Sequence, residues 1–133
     1  MNLIETYEHD EQGYKIMTSF GEWTVALMNE TEQYRPSNIN FMQKHNETDE
    51  CFVLLKGKCV LFVADGDDKP QNLTAVPMVL NRVYNVKRGV WHTHTFHDDT
   101  QVFIVENRNT TPENSPKYYN LTDEQKKYII TNG

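Results

Sequence analysis

At 133 residues the chain has the length of one domain, long enough to bury a core and still enclose a small-molecule pocket. Hydrophobic residues make up 38% and the formal net charge is −6, a balance that disfavours a nucleic-acid backbone or an anionic membrane as partner, since both want clustered Lys and Arg. No apolar run approaches the roughly 20 residues of a membrane-spanning helix, and MNLIETYEHDEQGYK lacks a charged-then-apolar leader pattern, so a cytoplasmic protein is expected, with a small-molecule ligand and neither nucleic-acid nor membrane partners.

GEWTVALMN (21–29) is rich in β formers and reads as the first strand. Residues 30–40 read as a loop. DECFVLLKGKCVLFVADGDDKP (49–70) reads as strand, tight turn at Lys56-Gly57-Lys58, strand and polar loop, that is, a hairpin. AVPMVLNRVYNV (75–86) holds another strand, with Pro77 at its edge or start. VWHTHTF (90–96) and TQVFIVEN (100–107) read as two more, split by His97-Asp98-Asp99. Residues 108–120 form a polar connector. Thr122 and Gln125 have the spacing of a capping box opening a helix over DEQKKYII. The chain is expected to be one domain over 1–133, its core spanning about 20–108 and its connector and helix 109–133. Short strands at this spacing point to an all-β sandwich or barrel with a short C-terminal helix.

Residues 52–55 and 60–63 are apolar on both faces, so both strands are expected to be buried on both sides. Period two points Glu50, Phe52 and Leu54 one way and Cys51, Val53 and Leu55 the other. A carboxylate leading a buried strand is costly unless it is paired or coordinated. The hairpin would set Cys51 opposite Phe62 or Ala64 rather than Cys59, and no disulfide is expected. Of the five histidines, His9 reads as solvated surface and His97 as an exposed turn residue. His92 and His94 are two apart in a strand and share a face. They are either half-buried hydrogen-bonded side chains or, with His45 and Glu50, a converging set. Such a set suits Zn, Mn, Fe, Ni or Co.

The order of these residues resembles the cupin superfamily. Its first motif has two histidines one residue apart, then a glutamate, then a glycine. Here His45, Glu50 and Gly57 fall on the second histidine, the glutamate and the glycine, and Gln43 stands at the first histidine position. Its second motif runs Pro-x-Gly-x-x-His. KRGVWH keeps Gly89 and His92 at that spacing, with Lys87 in place of proline. The resemblance spans about residues 43 to 107 and implies a small jelly-roll barrel, a double-stranded β-helix, with a metal inside. Within that superfamily, KHNETDECFVLLKG, VADGDDKP and RGVWH in this order look like the ureidoglycolate lyase family. The matching residues are His45, Phe52, Gly57, the loop Gly66-Asp67-Asp68-Lys69-Pro70, and Arg88, Val90, Trp91 and His92. That family has glutamine at the position of Glu50, and His-His-Pro at His92-Thr93-His94.

The resemblance implies a divalent transition metal (Ni, Zn, Mn or Fe) held by His45, Glu50 and His92. His94 is then a fourth ligand or the general base, and Gln43 a weak ligand or a hydrogen-bonding group beside the metal. Arg88, or else Lys44, would pair with a substrate carboxylate, which makes Lys44, Arg88 and Gln43 the substrate-binding set and His94 and Arg88 the catalytic set. The implied reaction is a lyase elimination of the C–N bond of ureidoglycolate to glyoxylate and urea. Two other readings stand beside it: a cupin that binds a small molecule without catalysis, and a sugar isomerase or epimerase-like cupin. A homodimer is expected, with N-terminal strands such as Trp23–Met28 pairing across subunits.

Overall fold

Alternation of inward apolar and outward polar side chains runs through most of the chain, and the computed structural model, which describes residues 3–108 and 117–133, folds it into ten strands and one helix. In chain order these are β1 (Gly13–Phe20), β2 (Trp23–Asn29), β3 (Phe41–Lys44), β4 (Glu50–Lys56), β5 (Cys59–Asp65), β6 (Gln71–Pro77), β7 (Val83–Val86), β8 (Trp91–Phe96), β9 (Gln101–Asn107), β10 (Lys117–Asn120) and α1 (Asp123–Asn132). They form two five-stranded sheets, one in the order β1-β2-β9-β4-β7 and the other β10-β3-β8-β5-β6. Every pairing within them is antiparallel. This is the all-β jelly roll expected from the sequence.

Two apolar layers hold it. Phe52, Leu54, Leu61, Phe96 and Ile104 fill the space between the sheets. Met42, Val60, Phe62, Trp91 and Ile129 form a second layer on the outer face of the β10–β6 sheet, under α1. Thr122 accepts from the Gln125 amide while the Gln125 side chain accepts from the Thr122 amide, the reciprocal cap anticipated from their spacing. The helix explains why β5 and β8 are buried on both faces. The outer face of β4 carries no such cover, and Leu55 is 42% exposed. Two-sided burial therefore holds for β5 but not for β4.

The expected hairpin of β4 and β5 does not form. β4 pairs with β7 and β9, whereas β5 pairs with β6 and β8 in the other sheet. The Lys56-Gly57-Lys58 turn is a corner between sheets. Gly57 has φ +82°, and a Cβ there would lie 2.4 to 2.6 Å from Thr100 and the Asp99 carbonyl. Cys51 accordingly sits opposite Asn85 and Val105, not Phe62 or Ala64, and both cysteines are free.

The single strand expected over 75–86 is two strands, β6 and β7, in different sheets. β1, β3 and β10 are strands that composition does not reveal. β10 takes the end of the expected connector, of which 109–116 lie outside the described residues. β2 is flanked by β1 and β9, so Trp23–Met28 offers no free edge for pairing with another subunit; the edges of that sheet are β1 and β7. His9 is buried rather than solvated, because its Nε2 meets the Gly13 carbonyl and its own carbonyl accepts from Asn29 and Gln101. His97 is half-buried rather than exposed. No helix among the described residues is long and apolar enough to cross a membrane.

Candidate metal centre and its cavity

Strand parity builds the site. On β3, Met42 and Lys44 face the helix layer, so Phe41 and Gln43 face inward, and His45 continues that phase one step past the strand end. Gln43 is the register partner of His92 on β8. His92 and His94 point into the same space while Trp91 joins the outer layer. Glu50 opens β4 on the facing sheet with its side chain inward.

Two backbone ties lock the loops that carry these residues. The Gly89 amide donates to the His45 carbonyl at 2.7 Å, and the exposed Asp49 carboxylate accepts from the Arg88 amide and from Asn85. The second motif thus braces the first. Hydrogen bonds from Asn85 and from the Arg88 backbone hold the Asp49 carboxyl below its ordinary range.

Glu50 Oε1 lies 3.4 Å from His45 Nε2 and 3.2 Å from His92 Nε2. The three atoms that could ligate a metal all fall within 4.8 Å of one another, and all three residues are buried. No approach among them meets hydrogen-bond geometry, so each atom stands without a hydrogen-bond partner. His92 Nδ1 lies 3.1 Å from the Val90 carbonyl. A carbonyl only accepts, so Nδ1 carries a proton and Nε2 is the ring atom turned toward Glu50. Burial pushes the Glu50 carboxyl up, but His45, His92 and Glu106 together outweigh it and hold it well below the usual carboxylate range. For His92, burial pulls down and the Glu50 charge pulls up; Glu50 wins, and the value is raised.

The cluster lies in a cavity of about 290 Å³ between the sheets. Phe52, Met28 and Ile104 make its apolar floor. His94 stacks on Tyr34 at 4.6 Å and packs against Phe96 at 4.8 Å, and neither of its ring nitrogens has a hydrogen-bond partner. Burial, reinforced by the charge on His92, lowers His94 to about 4. It is therefore neutral near pH 7. It also stands apart from the three ligating atoms, which leaves it facing the cavity instead of completing the cluster.

Sequence reasoning missed Glu106 and Tyr14, and with them the lining residues Gln33, Tyr34 and Tyr118. Glu106 on β9 is buried in the cavity wall, and the Tyr14 hydroxyl on β1 donates to it. Burial, then the hydrogen bond to Glu106, pushes Tyr14 far up, so the phenol stays protonated. A signal for Glu106 was present: it shares the inward phase of Val102 and Ile104 in QVFIVEN.

The expected substrate-binding set divides. Gln43 lines the cavity. Lys44 does not: its ammonium donates to the Asp67 carbonyl at 2.6 Å and sits 4.9 Å from the Trp91 ring, on the outer face of its sheet. Arg88 is exposed on the loop before β8, and it is its backbone amide that touches Asp49. Period two puts Lys44 on the face opposite Gln43 and His45, and the loop path leaves Arg88 outside. The Gly66–Pro70 loop closes the β5–β6 hairpin, where Trp91 Nε1 donates to the Gly66 carbonyl. It braces the outer layer and does not reach the cavity.

No protein-family model and no curated protein matches this chain. Solved structures do. A cupin-2 domain containing protein from Shewanella frigidimarina NCIMB 400 aligns at 16% identity and TM-score 0.53, over 75% of this chain and 85% of that one. A Bacillus halodurans protein aligns at 12% identity and TM-score 0.56, over 80% and 78%. The Fe(II) form of HppE in complex with substrate aligns at 12% identity and TM-score 0.55, over 77% of this chain and 54% of that one. The chain has the cupin fold, in its small single-barrel form. At these identities the likeness speaks for the fold, and the chemistry must be argued from the cavity.

Proposed function

We propose that this chain is a metal-dependent cupin enzyme acting on a small oxygen-bearing molecule, with His45, Glu50 and His92 holding a divalent transition metal. The observation that carries the reading is the unpartnered trio of buried atoms, His45 Nε2, Glu50 Oε1 and His92 Nε2. A lone pair and a carboxylate oxygen do not stay 3.2 Å apart in a buried site without a cation or a proton to share. The donor set, two imidazoles and one carboxylate, suits nickel, zinc, manganese or iron. Iron in the structurally similar HppE supports the same reading. A metal held there would supply a Lewis acid for a hydroxyl or carboxylate oxygen. The Val90 carbonyl keeps the His92 lone pair aimed inward. Gln43, beside His92, offers an amide to the ligand, and neutral His94 offers one donor and one acceptor. Elemental analysis of the purified protein tests the site. Near-stoichiometric metal lost in His92→Ala supports it; less than about one-tenth equivalent, with none taken up on titration, rejects it.

The finer reading is an elimination like that of ureidoglycolate lyase, releasing glyoxylate and urea. Its support is the motif resemblance together with the ligand set. The carboxylate partner that it calls on, Arg88 or Lys44, lies outside the cavity. Incubation with ureidoglycolate decides it: glyoxylate no faster than with His92→Ala rules the reaction out. A ligand-dependent rise in Tm without turnover of any substrate would favour a binding protein instead. We also propose a homodimer, with the free β1 edge as its pairing element; a monomeric mass by light scattering at tens of micromolar would refute it.

A further inference from the structure

The cavity wall is aromatic and acidic. Tyr14, Tyr34, Phe41, Phe52 and Tyr118 give it ring surface, with Phe41 and Tyr118 meeting edge to face at 5.2 Å. Two carboxylates, Glu50 and Glu106, are buried in it at 6% and 7% exposure. Among the described residues that line it, none is Lys or Arg. The two basic side chains nearest in sequence to the ligand cluster, Lys44 and Arg88, are directed elsewhere.

Each part of this composition favours positive charge in the ligand. The face of an aromatic ring attracts a cation, more strongly once water is removed. A buried carboxylate is stabilised by an opposite charge or by N–H donors. With no metal bound, an anion without such a charge would meet two acids and no basic side chain. His94, at 8% exposure, has two ring nitrogens with no partner and a ring fixed by stacking on Tyr34. A ligand that satisfies it offers both a donor and an acceptor.

We propose that the cavity selects a small cationic amine, its ammonium centre resting against the aromatic wall beside Glu106 and its hydroxyl or carboxylate oxygen reaching toward His45, Glu50 and His92. Amino alcohols and amino acids are the class. The inference rests on this cavity being the substrate site; the ammonium contact does not involve the metal ligands, whereas a ligand carboxylate reaching Glu50 needs the cation between them.

Calorimetric titration with choline and with 3,3-dimethylbutan-1-ol tests it, because the two have the same shape and only choline is charged. Glycolate serves as the anionic comparison. All three are measured on metal-loaded and on chelator-treated protein. Choline is expected to bind at least tenfold more tightly than its uncharged isostere in both preparations, and glycolate more weakly than choline in the chelator-treated one. Glu106→Gln, and separately Phe41→Leu, should shrink the choline-to-isostere ratio. Equal affinities for choline and the isostere would overturn the proposal. So would tighter binding of glycolate to chelator-treated protein, or no choline binding at tens of millimolar. Failure to take up any metal would remove the metal reading and leave the choline comparison standing, so the two can fail separately.

Discussion

Glu50 Oε1 and His92 Nε2 stand 3.2 Å apart, yet one residue opens β4 in the first sheet and the other lies in β8 of the second. The candidate ligands therefore join the two halves of the barrel. A cation held by them would also clamp the sheets together and so couple metal binding to stability.

That coupling is measurable as a shift in Tm. With free metal at 100 times its Kd, the expected gain is about 2.7 kcal/mol of unfolding free energy. His92→Ala and Glu50→Ala should abolish the gain. Glu50→Gln keeps the shape but loses the anionic ligand, and should retain only part of it. Thermal melts with added zinc or nickel, against melts in chelator, give the comparison; a metal-induced shift that survives in His92→Ala would place the metal elsewhere.

Acid stability should carry the signature of His94. Burial lowers its folded value to about 4, against an ordinary value of about 6.5. Between those limits the unfolded chain binds a proton that the folded chain refuses, so the contribution of His94 is lost as pH falls through that window. Glu50, also depressed, contributes above the ordinary carboxylate value of about 4.3 and loses its contribution only at more acidic pH. His92 is raised, so its contribution is complete below about 6.5 and fades as pH rises above it. In chelator-treated protein, His94→Phe should therefore fall less steeply than wild type from pH 6.5 to about 4, as read by urea denaturation at each pH. Parallel curves would show that His94 does not govern this window.

Gly57 and Gly89 both have positive φ, but their surroundings differ. A Cβ at Gly57 would overlap Thr100 and the Asp99 carbonyl at 2.4 to 2.6 Å, whereas one at Gly89 meets nothing closer than 3.8 Å. Gly89→Ala should cost about 1–2 kcal/mol for the left-handed backbone alone. Gly57→Ala adds a steric overlap against backbone and should cost clearly more, enough to lower the yield of folded protein. Equal chemical denaturation midpoints for the two variants would contradict the corner packing.

Arg88→Ala removes an exposed side chain and leaves the amide that Asp49 uses. Its effect on stability should stay within about 0.5 kcal/mol, and ligand affinity should not move. Lys44→Met replaces a cation of the outer layer, so melting temperature should change while affinity for a cavity ligand does not. Asp49→Ala releases the tie between the two motifs and should weaken metal binding without touching a ligand. A loss of ligand binding in Arg88→Ala would return that guanidinium to the site.

Much of the fold and part of the site were legible along the chain. Period-two alternation reported β2 and β9, because one-sided burial imprints itself locally. The Thr122–Gln125 cap was legible because it is made within one helical turn. His45, Glu50, Gly57, Gly89 and His92 stood out through their resemblance to the two cupin motifs. Parity extends this: once His45 points inward, Gln43 and Phe41 do too, and Lys44 must point out.

Strand partners were a different matter. A glycine turn between two apolar strands looks the same whether it closes a hairpin or turns a corner between sheets, and it is the approach of Thr100 to Gly57, 43 residues later in the chain by 100 − 57, that makes it a corner. β1 reads as polar because its outward face is solvated, so Tyr14 could not be assigned to the cavity. Glu106 could be placed inward but not beside Tyr14, since that contact crosses strands brought together by closure of the barrel. Local patterning determined which side chains point inward and which residue types suit a metal. Long-range packing decided which of them meet, because distances between strands are set by the sheets and not by the chain that connects them.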